Sequence, residues 1–357
     1  MAAAKPSADT SSVEDHISAV ASLSASLLSD LEMALQRISD INLTTHVISM
    51  NARVEAARAG SQGSGFAVIA EEMARLSREV SDETRRIGDR STEVGKAMRS
   101  VVSRYVTEVR NGRLCELALV NIDLIDRNLY ERSCDVRWWA TDAAAVDCAQ
   151  SPTPEARKHA SHRLGQILDS YTVYFDLVLA DLDGRIIANG RPNKFRSVGT
   201  DVSQRAWFRD ALATTAGDQF AFETVHASDL VDGQRVLMYA CTAREGGAIN
   251  GRPVGVLGVV FNWDSLAQTI VNRTPLSAAE WRKTRVCVVD AVGNVLADSA
   301  KEGTKRIQFN GDKQLFAMSR GAVIAEIDGK PRCVAVAASP GYETYRTGWY
   351  SVIVQDV

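Results

Sequence analysis

An unbroken heptad pattern near the N-terminus constrains the fold of this chain more than any other feature. From Val13 to Ala52, twelve positions follow one another at alternating spacings of four and three residues, and most of them are apolar. Such a repeat is typical of coiled-coil helices. Further leucines at positions 23, 28 and 35 widen the apolar face. The wider face favours a helical bundle over a two-stranded coil.

A second apolar repeat runs from Phe66 to Tyr105, and a glycine-rich segment separates it from the first. Gly60, Gly63 and Gly65 fall within six residues, which is enough to break a helix and allow a tight reversal. The pattern therefore predicts an antiparallel helical hairpin over residues 13–110, with its tip at 60–65 and a disordered segment at 1–12. An isolated hairpin would expose its apolar face, so we expect two copies to pair as a dimeric four-helix bundle. Periodicity alone is equally typical of a generic dimerisation coiled coil.

The residues around this turn form a long motif, Asn51-Ala-Arg-Val-Glu-Ala-Ala-Arg-Ala-Gly60 followed by Gly65-Phe-Ala-Val-Ile-Ala-Glu-Glu72. The motif resembles the signalling tip of methyl-accepting chemotaxis receptors. That resemblance implies docking to a chemotaxis histidine kinase and an SH3-like coupling protein, and packing of receptor dimers into trimers. The implied polar contacts are Asn51, Glu55 and Arg58, and the implied apolar contacts are Val54, Phe66 and Val68.

Two simpler interpretations stay open for these tip residues. Glu55 and Arg58 have the spacing of an ordinary ion pair on one helix, and Phe66 could pack in a core. The arms are also short for the family, and we find no methylation motif in them. A dimeric ligand-binding scaffold without kinase control is therefore the alternative function.

The composition changes near residues 105–112. Between Thr10 and Arg104 the only aromatic residue is Phe66, whereas aromatic, proline and cysteine residues are frequent beyond Tyr105. We expect a bend at Asn111-Gly112 and connecting helices over 111–170, which lead into a series of strands. A turn signal at 181–184 and a similar one at 291–294 indicate a repeated unit. The sequence predicts two α+β modules in tandem, a first module at 171–275 and a second module at 280–357.

These modules resemble double Cache sensor domains, which contain two PAS-like sheets behind a long helix. The motifs are Asp181-x-x-Gly184, Gly199-x-Asp201-x-Ser203-x-Arg205-x-Trp207-Phe208 and Val289-Asp290-x-x-Gly293. The resemblance implies a small-ligand site in the first module. The implied site residues are Arg205, paired with a ligand carboxylate, the walls Trp207 and Phe208, and also Tyr239 and Asp176.

The ligand implied for this site is a carboxylate or another small metabolite. Thr200 and Val260 stand where amino-acid-binding members have Tyr and Asp, which argues against an α-amino acid. Alternatively, Arg205 is a structural residue that braces its loop.

Charge and motif content exclude several functions. The net charge is −3, from 41 basic and 44 acidic residues, so the sequence predicts no nucleic-acid partner. No apolar run approaches the roughly 18 residues of a membrane span. No catalytic motif is found, so we expect no enzyme, no cofactor and no metal site. The six cysteines form no paired motif, and the chain lacks a signal-peptide pattern, so we expect a cytoplasmic protein with reduced thiols.

Overall fold

The computed structural model describes residues 13–300 and 306–357. The expectation of disorder at 1–12 lies outside these residues. The chain divides into two compact units, Met1–Arg110 and Asn111–Val357. In the described part of the chain, no helix is both long enough and apolar enough to cross a membrane.

The first unit is the helical hairpin that the heptad pattern predicts. Helix α1 spans Val13–Arg58, and helix α2 begins at Ser64 and ends at Trp139, well inside the second unit. The two arms contact each other at a polar position. The side-chain amide of Asn42 donates to the carbonyl oxygen of Ser77 at 2.8 Å, and the Ser77 hydroxyl donates to the Asn42 Oδ1 at 2.9 Å. Pairing of residues this far apart along the chain fixes the antiparallel register.

A short 3-10 turn, Gly60–Gly63, reverses the chain between the two arms. Gly60 has a φ of +60°, in the left-handed region that favours glycine. A Cβ atom at Gly63 would lie 2.2 Å from the carbonyl oxygen of Ala56. Only glycine allows the turn to approach α1 this closely.

Helix α2 is continuous through Asn111 and Gly112, so the predicted break in the helix at these residues is wrong. An interior glycine costs a helix only about 1 kcal/mol relative to alanine. Leu114, Cys115 and Ala118, which follow directly, are buried in the core of the second unit. Their burial outweighs the weak helix propensity of the two preceding residues.

Two short helices follow α2 and lead into the first module. Helix α3 spans Ala143–Gln150 and helix α4 spans Pro154–Asp169. The side chain of Asp142 caps α3, and the side chain of Thr153 caps α4. Both caps satisfy backbone amides that the first turn of a helix leaves without a partner.

The first module is a five-stranded antiparallel sheet. Its strands are β1 (Tyr174–Ala180), β2 (Ile186–Asn189), β3 (Ala221–Ser228), β4 (Gln234–Arg244) and β5 (Pro253–Asn262), in the order β2-β1-β5-β4-β3. Helix α5 (Ala206–Leu212) lies between β2 and β3 in the chain, and helix α6 (Trp263–Asn272) follows β5. The short helix α5 was not anticipated, because a seven-residue segment carries too little periodicity.

The second module repeats this topology, as the duplicated turn signals predict. Helix α7 (Ala278–Trp281) precedes strands β6 (Thr284–Val289) and β7 (Val295–Asp298). Helix α8 (Asp312–Phe316), β8 (Arg320–Ile327), β9 (Lys330–Ala338) and β10 (Tyr350–Asp356) complete it. The strand order is β7-β6-β10-β9-β8. Gly184 and Gly293, with φ values of +84° and +88°, occupy equivalent turns in the two modules.

The core of the second unit has three parts. One face of each sheet packs together with α2, α3 and α4 in a shared apolar cluster. The opposite face of the first sheet forms a separate cluster with α5. The opposite face of the second sheet forms a third cluster with α8. Each sheet is therefore covered on both faces, and one of these faces is covered by the helix that leads into the hairpin.

Candidate functional site

The hairpin tip exposes both classes of side chain that the family motif implies. Val54, Phe66 and Val68 are 52%, 72% and 68% exposed. Glu55 and Arg58 form an exposed ion pair at 2.7 Å, and Asn51 is also exposed. An exposed pair of this kind contributes at most about 1 kcal/mol to stability. The tip therefore presents an apolar surface beside a charged pair, and the core-packing interpretation of Phe66 does not hold within this chain.

Three of the predicted ligand residues lie at the start of helix α5. Arg205 is the residue before the first helical turn, and its guanidinium pairs with the exposed Asp229 at 2.6 Å. Trp207 and Phe208 are only 1% and 3% exposed, and they belong to the apolar cluster between α5 and the sheet. The arginine is accessible in this structure, whereas a ligand would reach the two rings only after side chains move.

Asp176 is fully buried on β1. Its carboxylate accepts hydrogen bonds from the Asn189 side-chain amide at 2.7 Å, the Leu177 backbone amide at 2.9 Å and the Arg191 backbone amide at 3.0 Å. Burial raises its pKa to about 6, although these hydrogen bonds act in the opposite direction. The side-chain oxygen of Asn189 is buried and accepts no hydrogen bond in the described part of the chain. Asp176 is thus a buried, internally bonded carboxyl group.

Tyr239 lies on the opposite face of the first sheet from Trp207 and Phe208, in the shared cluster. Its hydroxyl is 2.7 Å from the hydroxyl of Tyr345, which belongs to the second module. Burial raises the pKa of Tyr239 well above the usual tyrosine value, so the hydroxyl stays protonated and can donate. Both rings pack with Phe220, and Tyr239 also packs with Phe222, which in turn contacts Trp349. Tyr239 therefore contributes to the contact between the two modules.

A buried carboxylate that the sequence did not single out ties the second module to α2. Asp126 accepts hydrogen bonds from the Ser339 hydroxyl at 2.5 Å, the Gly341 amide at 2.8 Å and the Thr347 hydroxyl at 2.8 Å. These donors lie in the segment between β9 and β10 that also carries Tyr345. More than 200 residues separate Asp126 from them in the chain, so no local pattern could have indicated this contact.

The structure therefore brings some of the predicted residues together and separates others. The six tip residues lie on one end of the hairpin. Arg205, Trp207 and Phe208 surround the start of α5, whereas Tyr239 lies across the sheet and Asp176 is on β1. Among the described residues, no group of three or more histidine, cysteine, aspartate or glutamate side chains could hold a metal ion.

Comparison with known families identifies the hairpin. Residues 1–116 match the model of the methyl-accepting chemotaxis protein signalling domain. Curated relatives include the biofilm dispersion protein BdlA of Pseudomonas aeruginosa, 37% identical over 101 residues, and the putative sensory transducer protein YvaQ of Bacillus subtilis, 39% identical over 87 residues. These alignments cover 26% and 23% of this chain, and 24% and 15% of the two relatives. The chain thus spans a quarter or less of the relatives it matches.

Comparison with solved structures identifies the fold of the second unit. The ligand-binding domain of the Pseudomonas aeruginosa amino acid chemoreceptor PctB superposes with a TM-score of 0.50 at 19% identity, over 70% of this chain and 96% of that one. The sensory domain of the Campylobacter jejuni chemoreceptor Tlp3 also gives 0.50, at 18% identity, over 70% and 95%. At such identities the likeness is one of fold. Residues 1–116 of this chain therefore match the methyl-accepting chemotaxis protein signalling domain, and the unit that follows shares the Cache-like fold of the solved chemoreceptor domains.

Proposed function

We propose that this chain is a chemoreceptor-like signal transducer, in which the first module binds a small ligand and the hairpin tip regulates a chemotaxis histidine kinase through a coupling protein. The observation that carries the proposal is the exposed apolar surface of Val54, Phe66 and Val68 at the tip of a hairpin with the signalling-domain sequence. Exposed apolar side chains grouped beside polar ones are typical of protein interfaces. A kinase that uses ATP works in the cytoplasm, so the proposal also places the tip there.

The sensing part of the proposal centres on Arg205. Its guanidinium already binds one carboxylate, that of Asp229, on an exposed surface. A ligand carboxylate could take the place of Asp229 and form the same charge-assisted hydrogen bonds. The solved chemoreceptor domain from Pseudomonas aeruginosa binds L-Arg. For this chain we propose a small carboxylate, with Trp207 and Phe208 becoming walls of the site when it opens.

The coupling part of the proposal uses contacts within the second unit. The Tyr239–Tyr345 hydroxyl pair joins the first module to the segment between β9 and β10, and Asp126 joins that segment to α2. A change in the first sheet would thereby reach the helix that continues into the hairpin. Small shifts of a packed helix are a common way in which a binding event changes a distant interface.

The assembly part of the proposal is a homodimer, with dimers packing into trimers through the tip. Large apolar residues are exposed along both arms, among them Leu27, Ile41, Ile87 and Val101. A single hairpin cannot bury them, whereas two hairpins in a four-helix bundle can. The second copy of the chain is therefore the partner proposed for this face.

A pull-down of purified kinase and coupling protein by the full chain tests the interface. We expect capture by the unmodified chain and loss of capture by Arg58→Ala. Arg86→Ala is the matched control, because Arg86 forms the same kind of exposed ion pair, with Glu83, away from the tip. Capture that survives Arg58→Ala and Phe66→Ala alike, or no capture at all, would favour the dimeric ligand-binding scaffold instead.

A further inference from the structure

A cavity of about 430 Å³ lies in the second module, away from the residues considered so far. It opens beside the start of β6 and the end of β10. Five cationic side chains and two carboxylates, those of Asp328 and Asp356, line it, so its described lining is basic in a chain of net charge −3. The five are Arg282, Lys283, Arg285, Arg306 and Arg332.

Two of the five cations are held by carboxylates of the protein. Arg332 pairs with Asp328 at 3.1 Å and with Asp356 at 2.9 Å. Arg285 forms a two-pronged contact with Asp298, with distances of 3.1 and 2.8 Å. These pairs fix the guanidinium groups in place.

The other three cations line the cavity and have no such partner among the described residues. Arg282, Lys283 and Arg306 are exposed and form no ion pair within residues 13–300 and 306–357. Like charges that line one cavity repel one another, and a bound anion reduces the repulsion. Such a cluster is therefore disfavoured unless an anion or salt neutralises it.

Three apolar side chains also line the cavity. Ile307 and Val354 are buried, and Ile327 is half-buried. A concave site with a few convergent polar groups over apolar side chains is the usual form of a small-molecule site. Arginine matches phosphate and carboxylate geometry, because its planar fork can donate two parallel hydrogen bonds.

We propose that this basic cavity binds a small multivalent oxyanion, carrying phosphate or carboxylate groups, as a second ligand site of the chain. Arg282, Lys283 and Arg306 would supply the positive charge that neutralises the anion. Arg285 and Arg332, whose guanidinium groups are held by carboxylates, would supply hydrogen-bond donors at fixed positions. The site lies in the second module, so it is distinct from the carboxylate site proposed around Arg205. It does not depend on the kinase-regulating function.

Calorimetric titration of the full chain with pyrophosphate and, separately, with citrate tests the proposal. We expect at least one of them to bind, and the Lys283→Ala/Arg306→Ala double variant to bind it at least about tenfold more weakly. The preferred anion identifies the chemistry as phosphate or carboxylate. Added salt should weaken binding, because the contacts are ionic.

Arg196→Ala is the matched control, because Arg196 is an exposed arginine of the first module. It should bind as the unmodified chain does. Circular dichroism and a thermal melt verify that the double variant folds, which is expected because neither side chain it loses holds a carboxylate of the described residues. The proposal is overturned if neither anion binds at millimolar concentration, or if the double variant and Arg196→Ala bind equally well. Neither result would bear on the kinase pull-down.

Discussion

At the scale of single residues, Asp176 shows how burial sets the chemistry of a carboxyl group. It has three hydrogen-bond donors but no cationic side chain bonded to its oxygens. Its pKa of about 6 in the folded chain exceeds the roughly 3.9 of an unfolded aspartate. Between these two pH values, the folded state therefore binds more protons than the unfolded state does. The contribution of Asp176 to the unfolding free energy rises as the pH falls from about 6 to about 4.

Asp176→Asn should remove this contribution. The shift corresponds to a free energy on the order of 3 kcal/mol. Urea unfolding at several pH values between 4 and 7 should show that the stability difference between the unmodified chain and the variant changes across this window. Burial raises the pKa of Asp298, but its bonds to Arg285 outweigh this effect, so the pKa is lowered. The contribution of Asp298 to stability therefore falls as the pH falls, in the unmodified chain and in the variant alike. The exposed Asp183 supplies the control, Asp183→Asn. If the unfolding free energies of Asp176→Asn and of the unmodified chain change in parallel with pH, the raised pKa of Asp176 is contradicted.

Arg205 is the residue on which the proposed ligand site depends most. Arg205→Ala should weaken binding of a carboxylate ligand by about 30-fold or more, because a charge-assisted contact is lost. Stability should fall by less than about 1.5 kcal/mol, since the only partner it leaves in the described residues is the exposed Asp229. Calorimetry with a carboxylate found by thermal-shift screening measures the affinity, and a thermal melt measures the stability.

Arg209 lies on the same helix, is exposed and provides the matched substitution Arg209→Ala. Its ligand affinity should stay unchanged. If Arg205→Ala binds normally but melts at a much lower temperature, Arg205 braces its loop and the ligand site lies elsewhere.

At the scale of elements, the contact between α2 and the second module depends on Asp126. Asp126→Ala would leave the Ser339 hydroxyl, the Gly341 amide and the Thr347 hydroxyl without their acceptor. An unsatisfied buried donor costs about 1–3 kcal/mol. Ser339 is buried, whereas Gly341 and Thr347 are half-buried, so we expect a loss of about 2 kcal/mol or more. Chemical unfolding of the purified chain measures it.

Asp123, three residues earlier on the same helix, is half-buried and forms an ion pair with Arg127, its one ion-pair partner among the described residues. Asp123→Ala should therefore cost less than about 1 kcal/mol. Equal losses for the two variants would mean that Asp126 does not hold the segment between β9 and β10.

The elements also show what local sequence can and cannot predict. The ten strands of the described residues follow from short apolar runs bounded by turn residues such as Gly184 and Gly293. The runs are continuous because both faces of each sheet are covered, so successive residues of a strand are buried. The contact of Asp126 with Ser339 and that of Tyr239 with Tyr345 join distant segments, and no pattern within one segment encodes them. The prediction of a break in the helix at Asn111-Gly112 is wrong because burial of the residues that follow outweighs the weak helix propensity of these two. A large apolar residue such as Trp207 is expected to be buried. The sequence does not show that a sheet separates Trp207 from Tyr239.

At the scale of the whole molecule, the exposed apolar face of the hairpin predicts self-association. Leu27 is 70% exposed on α1. Leu27→Glu would place a charge in the apolar centre of a four-helix bundle, where burying it without a partner is strongly unfavourable. We expect sedimentation equilibrium to give a dimer for the unmodified chain and a marked shift toward monomer for the variant.

Leu182→Glu is the matched control, because Leu182 is an exposed leucine in the turn between β1 and β2. It should remain dimeric. A monomeric unmodified chain, or a dimer that Leu27→Glu leaves intact, would argue that the apolar face has another partner.

The proposed control of a histidine kinase by the hairpin tip is tested by the rate of kinase autophosphorylation. The purified full chain is added to the chemotaxis histidine kinase and its coupling protein, and phosphate incorporation is followed with time. We expect a rate that differs several-fold from that of kinase and coupling protein alone, and that returns to the basal value when Phe66→Ala replaces the unmodified chain. The same rate with and without the chain, under conditions where the chain is folded and dimeric, would contradict it.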